Sequence, residues 1–443
     1  MIISAVHPPV GLLAPESALN LLLQVAVLLA LALVLGRLAV RAGLPAIVGE
    51  LCAGVVAGPS VLGHLAPALW NRLFPQVSEQ FHLLDAIGQV GVILLVGLTG
   101  MEMDLGLVLR RGTTALRIGG FGLIVPLGLG VALGLVLPAA LRGTHVDRWS
   151  FVLFMGVTMC VSAIPVIAKT LGEMGLTHRN VGQLTLAAST IDDIVGWLLL
   201  SIVSAMVTAG ISGGALALTL ARPWLLIAGA VLVVPLLARL VRRFDRRPGD
   251  VVPTTTGVVT ILVATAAAAQ ALKLEAVFGA FVAGILIGTF GRIDPRRLAP
   301  LRTVVMAVLA PLFFATAGLR MDVASLATLP VALAGLAVLL VAIAGKLGGV
   351  YAGARLSRLS PAESLAIGAG LNARGVIEII VALTGLRLGV LTPAAYTIVV
   401  LVAIATSVMA PPLLRVTMRH VDESAEEVLR AQNRGITDPA MRS

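Results

Sequence analysis

Residues 181–209 read VGQLTLAASTIDDIVGWLLLSIVSAMVTA, a long apolar run whose only two charges, Asp192 and Asp193, stand side by side near its middle. An α-helix needs about 20 apolar residues to cross a hydrocarbon core of ~30 Å. The run is too long for a barrel strand, and a spanning segment must satisfy its own backbone, so it reads as a membrane helix. The rest of the chain has the same character. It has 443 residues, of which 58% are hydrophobic and 12% charged, and its mean hydropathy is +1.03. A soluble globular chain carries about 25% charged residues. Half that share cannot coat a water-facing surface, which excludes a soluble enzyme, a nucleic-acid binder and a disordered tail as whole-chain readings.

Thirteen apolar spans follow one another, at about 17–36, 45–63, 83–101, 118–140, 150–170, 181–209, 223–240, 252–271, 275–290, 303–319, 329–353, 362–383 and 391–415. The fold class is therefore all-α and polytopic. Residues 1–16 lack the basic flank and cleavage pattern of a signal peptide. Alternate loops divide their Lys and Arg eighteen to seven, and residues 416–443 together with Arg415 add five to the richer side. The positive-inside rule then puts the N-terminus outside and the C-terminus in the cytoplasm. The net charge of +10 belongs to these loops rather than to a nucleic-acid surface. Cys52 and Cys160, both inside apolar runs, make no disulfide framework or metal motif.

Six charged residues fall inside spans and clear of their ends: Glu50, Asp192, Asp193, Lys346, Arg374 and Glu378. A charge at bilayer depth costs at least ~2.5–3.5 kcal/mol, so it needs a partner and a purpose. Neighbouring helix residues point about 100° apart. Asp192 and Asp193 therefore face different surroundings: one an aqueous funnel, the other a cation on another helix. A carboxylate so placed takes either a proton or a small metal cation, and that competition is the minimal physics of an exchanger. Lys346 is one of only three lysines, with Lys169 and Lys273. It either snorkels to the interface or pairs with Asp192 or Asp193. Arg374 and Glu378, four apart, read as a self-neutralising pair. Glu50, one turn inside its span, faces a cytoplasmic vestibule or reaches the interface. Gly54 and Gly58, like Gly284 and Gly288, mark close helix packing.

Two spans carry helix-breaking sequence. Ser162-Ala163-Ile164-Pro165-Val166 interrupts the fifth and Gly370-Leu371-Asn372-Ala373-Arg374-Gly375 the twelfth. Interrupted spans in corresponding places of two halves point to crossed discontinuous helices at a transport site. Seven spans separate them, an odd number, so the repeats are inverted.

These residues also carry a family resemblance. PAIVGELCAGVVAGPSVLG at 45–63 resembles the opening signature of the second monovalent cation:proton antiporter family, the Kef-type and NapA-type exchangers. Further matches run in order: Gly100 to Asp104, SAIPVIAKTLGEMGL at 162–176, STIDDIVGWLLL at 189–200, FGAFVAGILIG at 278–288, PLFFATAGLRMDV at 311–323 and NARGVIEII at 372–380. The resemblance implies an NhaA-like fold in a transporter domain over 17–415. Core helices would lie at about 118–209 and 329–415, interface helices at about 17–101 and 252–319, and a linker helix at 223–240. It implies a homodimer in the cell membrane that exchanges Na⁺ or Li⁺ for protons by alternating access, electrogenically, and serves pH homeostasis. K⁺/H⁺ exchange or a cation channel are the alternatives. Asp193 would carry the ion or proton and Asp192 would pair with Lys346, with Ser162, Pro165, Thr190, Arg374 and Glu378 in support. No cofactor, nucleic acid or nucleotide-binding regulatory domain is implied; the partners are cations, protons and lipid. An intramembrane aspartyl protease would need two convergent Asp on facing helices, which adjacent acids do not provide.

Overall fold

The computed structural model describes residues 14–75, 78–209, 213–244, 252–291 and 293–428. The expected external segment 1–16, the basic loop at 241–250 and the tail 416–443 thus lie wholly or partly outside the described residues. The helices are α1 (Pro15–Arg41), α2 (Ala46–Ala57), α3 (Leu62–Leu65), α4 (Pro67–Leu73), α5 (Ser78–Met101), α6 (Leu105–Val136), α7 (Arg148–Cys160), α8 (Ile164–Glu173) and α9 (Asn180–Ala209). They continue as α10 (Gly213–Phe244), α11 (Val252–Ala271), α12 (Ala276–Phe290), α13 (Ala299–Val304), α14 (Ala310–Gly318), α15 (Leu329–Leu356), α16 (Pro361–Leu371), α17 (Val376–Arg387) and α18 (Pro393–Met418). A π-helical turn, Val305–Leu309, joins α13 to α14. Among the described residues, eleven helical spans are long and apolar enough to cross a membrane, α16 and α17 form a pair bent by 49°, and α12 is a shorter apolar helix. Each of the thirteen expected spans has its counterpart.

Several helices run longer than hydropathy suggests, among them α1, α6 and α10. α6 begins at Leu105 rather than near 118, where the Asp104 carboxylate accepts the Leu107 N–H at 2.8 Å. Arg110, Arg111 and Arg117 ride on this extension. Helix geometry is indifferent to the membrane boundary, which hydropathy tracks. Gly112, at φ +50°, kinks the extension where only glycine is at ease. α7 is capped by Asp147, which takes the Ser150 N–H at 2.9 Å and its hydroxyl at 2.7 Å. The Ser150 hydroxyl holds this carboxyl below its ordinary range.

The helices sort into two packed groups. α1, α2, α5, α11, α12 and α14 pack among themselves; α6 to α9 pack with α15 to α18, with α6 against α15 the most extensive pairing. α10 touches α9, α11 and α12, and α9 meets the first group mainly at α12. Within the first group the glycines permit near-contact of backbones: a Cβ on Gly54 would lie 1.9 Å from Ala315 O, and one on Gly284 would lie 2.2 Å from Gly97 O.

Beyond α18 the chain turns back onto the second group. Arg179 Nη2 donates to Val421 O and Asp422 O, both at 3.0 Å, and its Nε lies 3.4 Å from Glu427 Oε1. Glu427, 3% exposed, also accepts the Asn180 N–H at the start of α9. Burial pushes the Glu427 carboxyl up, but the N–H groups of Ser424 and Asn180 and the charge of Arg179 outweigh it and hold it below its ordinary 4.5.

Candidate functional site

Both interrupted spans open where expected, and their breaks meet. In the fifth span the break is Val161–Ala163; Pro165 sits in the first turn of α8, where its missing N–H is no loss. In the twelfth span it is Asn372–Gly375. Ala163 N–H donates to Ala373 O at 3.3 Å, tying one break to the other. Each break exposes orphan helix-terminal groups that must find partners. Lys346 and Arg374 meet that need at the C-terminus of α7, the negative end of its dipole. Lys346 Nζ donates to Cys160 O at 2.9 Å, and Arg374 donates to Thr158 O at 2.9 Å and Met159 O at 2.6 Å.

Lys346 does not snorkel. It is fully buried, also donates to Gly122 O at 3.0 Å, and forms an ion pair with Asp192 Oδ2 at 2.5 Å. Ser162 Oγ lies 2.9 Å from that same oxygen and 3.0 Å from Leu371 O, so one hydroxyl links the carboxylate to the C-terminus of α16. Arg374 pairs with Glu378 at 2.9 Å, though not along a helix face: Arg374 lies in the break and Glu378 in the first turn of α17. Ser407 Oγ donates to Arg374 O.

Asp193 is different. It is fully buried, and neither carboxylate oxygen has a hydrogen-bond partner among the described residues. The Ile164 N–H, at the positive end of α8, faces it outside full hydrogen-bond geometry. Asn372, not singled out from the sequence, is also fully buried in the break, with both side-chain amide atoms unpartnered among the described residues. Its signal was there to read: a polar amide inside an apolar span, beside Arg374. Buried polar groups are normally paired, so oxygens left open at a helix break fit a small cation or a proton.

A cavity of about 990 Å³ leads toward this centre from the basic end of the molecule. Its mouth carries Glu102, Asp104, Arg110, Arg302, Lys169 and Glu426; its deep end is Ile164, Pro165 and Thr190. Thr190 lies three residues, about one turn, before Asp193 on α9, and its hydroxyl donates to Leu186 O at 2.9 Å. Glu50 borders this funnel without lining it, close enough to feel the charge of Lys169 at the mouth. The phase of α2 turns it toward α1, onto a separate groove of about 640 Å³ with Arg37 and Arg41. The acids that line the funnel mouth itself are Glu102, Asp104 and Glu426.

The Na⁺/H⁺ antiporter NhaS4 of Synechocystis is 29% identical over 404 residues, covering 90% of this chain and 97% of that one. The Na⁺/H⁺-K⁺ antiporter GerN of Bacillus cereus is 28% identical over 408 residues, with 90% and 97% covered. The chain spans about half the length of the plant cation/H⁺ antiporters it also matches. In fold it resembles the sodium proton antiporter MjNhaP1 of Methanocaldococcus jannaschii, with a TM-score of 0.64 at 17% identity over 91% of this chain and 97% of that one. That likeness carries the NhaA-like architecture. Matched over residues 26–420 by the family model for the transmembrane region of sodium/hydrogen exchangers, the chain belongs to the sodium/hydrogen exchanger family and exchanges monovalent cations for protons.

Proposed function

We propose that Asp193 is the carrier of this exchange and that Asp192 and Lys346 form the charge couple that responds to it. One observation carries the reading. Asp193 is held buried and unpartnered about one turn beyond the end of the funnel, while its neighbour is neutralised by a lysine. A cation reaching Asp193 takes the place of its proton, helped by the oxygens of the break. The same cation weakens the hold of Asp192 on Lys346, which then gives up a proton. Two protons for one cation makes the exchange electrogenic.

The funnel at the basic end is the cytoplasmic access route, with the N-terminus outside and the C-terminus inside the cell membrane, as the loop charges indicate. The group α6–α9 with α15–α18 is the moving core. The group α1, α2, α5, α11, α12 and α14 is the scaffold and the homodimer interface, and α10 links the two. Ser162, Pro165, Thr190, Arg374 and Glu378 support the site by fixing the two breaks. Na⁺ or Li⁺ is the leading cargo. K⁺ is the alternative, favoured by the name of the Bacillus relative. No cofactor takes part.

The test is exchange in proteoliposomes: a pH gradient is imposed and Na⁺, Li⁺ and K⁺ are added in turn while internal pH is read. Dissipation by Na⁺ and Li⁺ supports the leading reading, and dissipation by K⁺ alone selects the alternative. Asp193→Asn should abolish flux for every cation yet leave folding intact, because its oxygens have no hydrogen-bond partner to lose. Near-normal flux in that variant overturns the assignment.

A further inference from the structure

The face of α9 that bears Asp193 does not end there. Thr190, Asp193, Trp197, Ser201, Ser204 and Thr208 recur at spacings of three and four, one stripe along a helix. The funnel uses the half of this stripe before Asp193. The half beyond it is closed against α12. Trp197 packs on Phe281 with ring centroids 6.0 Å apart, and both are buried. Further on, Ser204 Oγ donates to Glu275 Oε1 at 2.5 Å, at the N-terminal end of α12. Between them Ser201 Oγ is fully buried without a partner among the described residues, as is Trp197 Nε1. A buried indole N–H or hydroxyl normally finds a partner. Two orphans in a row on the seam between the two helix groups are what a water-lined path leaves when its walls shut.

We infer that the α9–α12 seam is the access path on the face opposite the funnel, with Trp197 and Phe281 as its gate, Ser201 and Ser204 as its wall, and Glu275 as the acid that first captures the incoming cation. In the conformation described here the gate is shut and the funnel open. When α9 moves relative to α12, the Ser204–Glu275 bond breaks and water reaches Ser201. This rests on the antiport reading with Asp193 as carrier.

Single cysteines test it, in a Cys52→Ser, Cys160→Ala background. Lys169→Cys marks the funnel face and Lys273→Cys the opposite face; both native side chains are exposed. A membrane-impermeant thiol reagent is applied from each face in turn during cation-driven turnover. Ser201→Cys and Ser204→Cys should react from the Lys273 face, and their modification should stop exchange. Leu199→Cys, on the opposite side of α9 by helical phase, should react from neither. Reaction of Ser201→Cys and Ser204→Cys from the Lys169 face alone, or no reaction in variants that exchange at the parental rate, overturns the path. For Glu275→Gln, the apparent KM for the cation presented on the Lys273 face should rise roughly threefold or more, as loss of a focusing charge lowers local cation concentration. KM from the other face should stay unchanged. An equal change on both faces, or none, removes Glu275 from the path. Absence of exchange in the parent protein would instead count against the antiport reading.

Discussion

The Asp192–Lys346 pair makes the sharpest quantitative test of the site. Breaking a buried ion pair by removing one partner costs about 3–5 kcal/mol, because the other charge is left stranded. The two single variants should not be equal. In Lys346→Gln, Asp192 keeps the Ser162 hydroxyl at 2.9 Å, while Gly122 O and Cys160 O lose their donor. This variant belongs near the lower end of the range. In Asp192→Asn, Lys346 keeps two carbonyls but no counter-charge, which places it near the upper end. The double variant strands neither charge. It should therefore be less destabilised than the sum of the singles, with a coupling of about 1–3 kcal/mol. Thermal unfolding of the purified protein in detergent, run on all four proteins under one condition, reads this. Singles that simply add in the double variant would refute the coupling and leave Lys346 as a cap for α7.

The functional half of the argument needs a second readout on the same proteins. If Lys346 carries one of the two protons, Lys346→Gln lowers the charge moved per cation in any exchange that survives. Solid-supported-membrane current and pH-dye flux, measured on the same proteoliposomes, give that ratio. An unchanged ratio alongside lowered stability would make Lys346 structural and leave Asp193 as the sole proton carrier.

Three further outcomes follow from the packing. Arg374→Met strands Glu378 and leaves Thr158 O and Met159 O without donors, so it should lower stability by about 3–5 kcal/mol; unfolding midpoints equal to the parent would show that the break holds without it. Gly54→Ala drives a Cβ to 1.9 Å from Ala315 O, so α2 and α14 must separate. Overpacking of that kind costs about 1–3 kcal/mol, and an unchanged midpoint would contradict the close approach. Glu427 is held below its ordinary 4.5, so its contribution to pinning residues 419–428 is complete above that value and is lost as pH falls through the lowered one. Hydrogen exchange at the start of α9 should be slow at neutral pH and quicken only in acid, and Glu427→Gln should quicken it already at neutral pH. Quickening of the parent protein on raising the pH would reverse the sign and refute the argument.

What the sequence disclosed and what it withheld divide along a physical line. Insertion of a span is a local property, paid residue by residue, so thirteen apolar runs and six misplaced charges could be read directly. So could the two breaks, because glycine, proline and paired polar residues weaken a helix wherever it lies. Partnership is not local. The i, i+4 spacing of Arg374 and Glu378 is real, yet Arg374 spends two donors on carbonyls of α7 more than 200 residues away in sequence. No spacing rule reaches that far. Lys346 offered two readings, snorkelling or pairing, until the depth of α15 against α6 was known. The phase of Glu50 depends on how α2 meets α1, which hydropathy does not encode. The α9 stripe lies between these cases. Its three- and four-residue spacing is written in the sequence from Thr190 to Thr208, and polar residues on one face of a spanning helix already imply a buried or wet surround. Only the packing shows that one half of that face opens into a funnel while the other is shut by Trp197 on Phe281. One helix thus carries the carboxylate together with an open approach on one side and a closed one on the other. An alternating-access carrier needs that asymmetry at its binding residue, and the inferred shift of α9 against α12 would invert it.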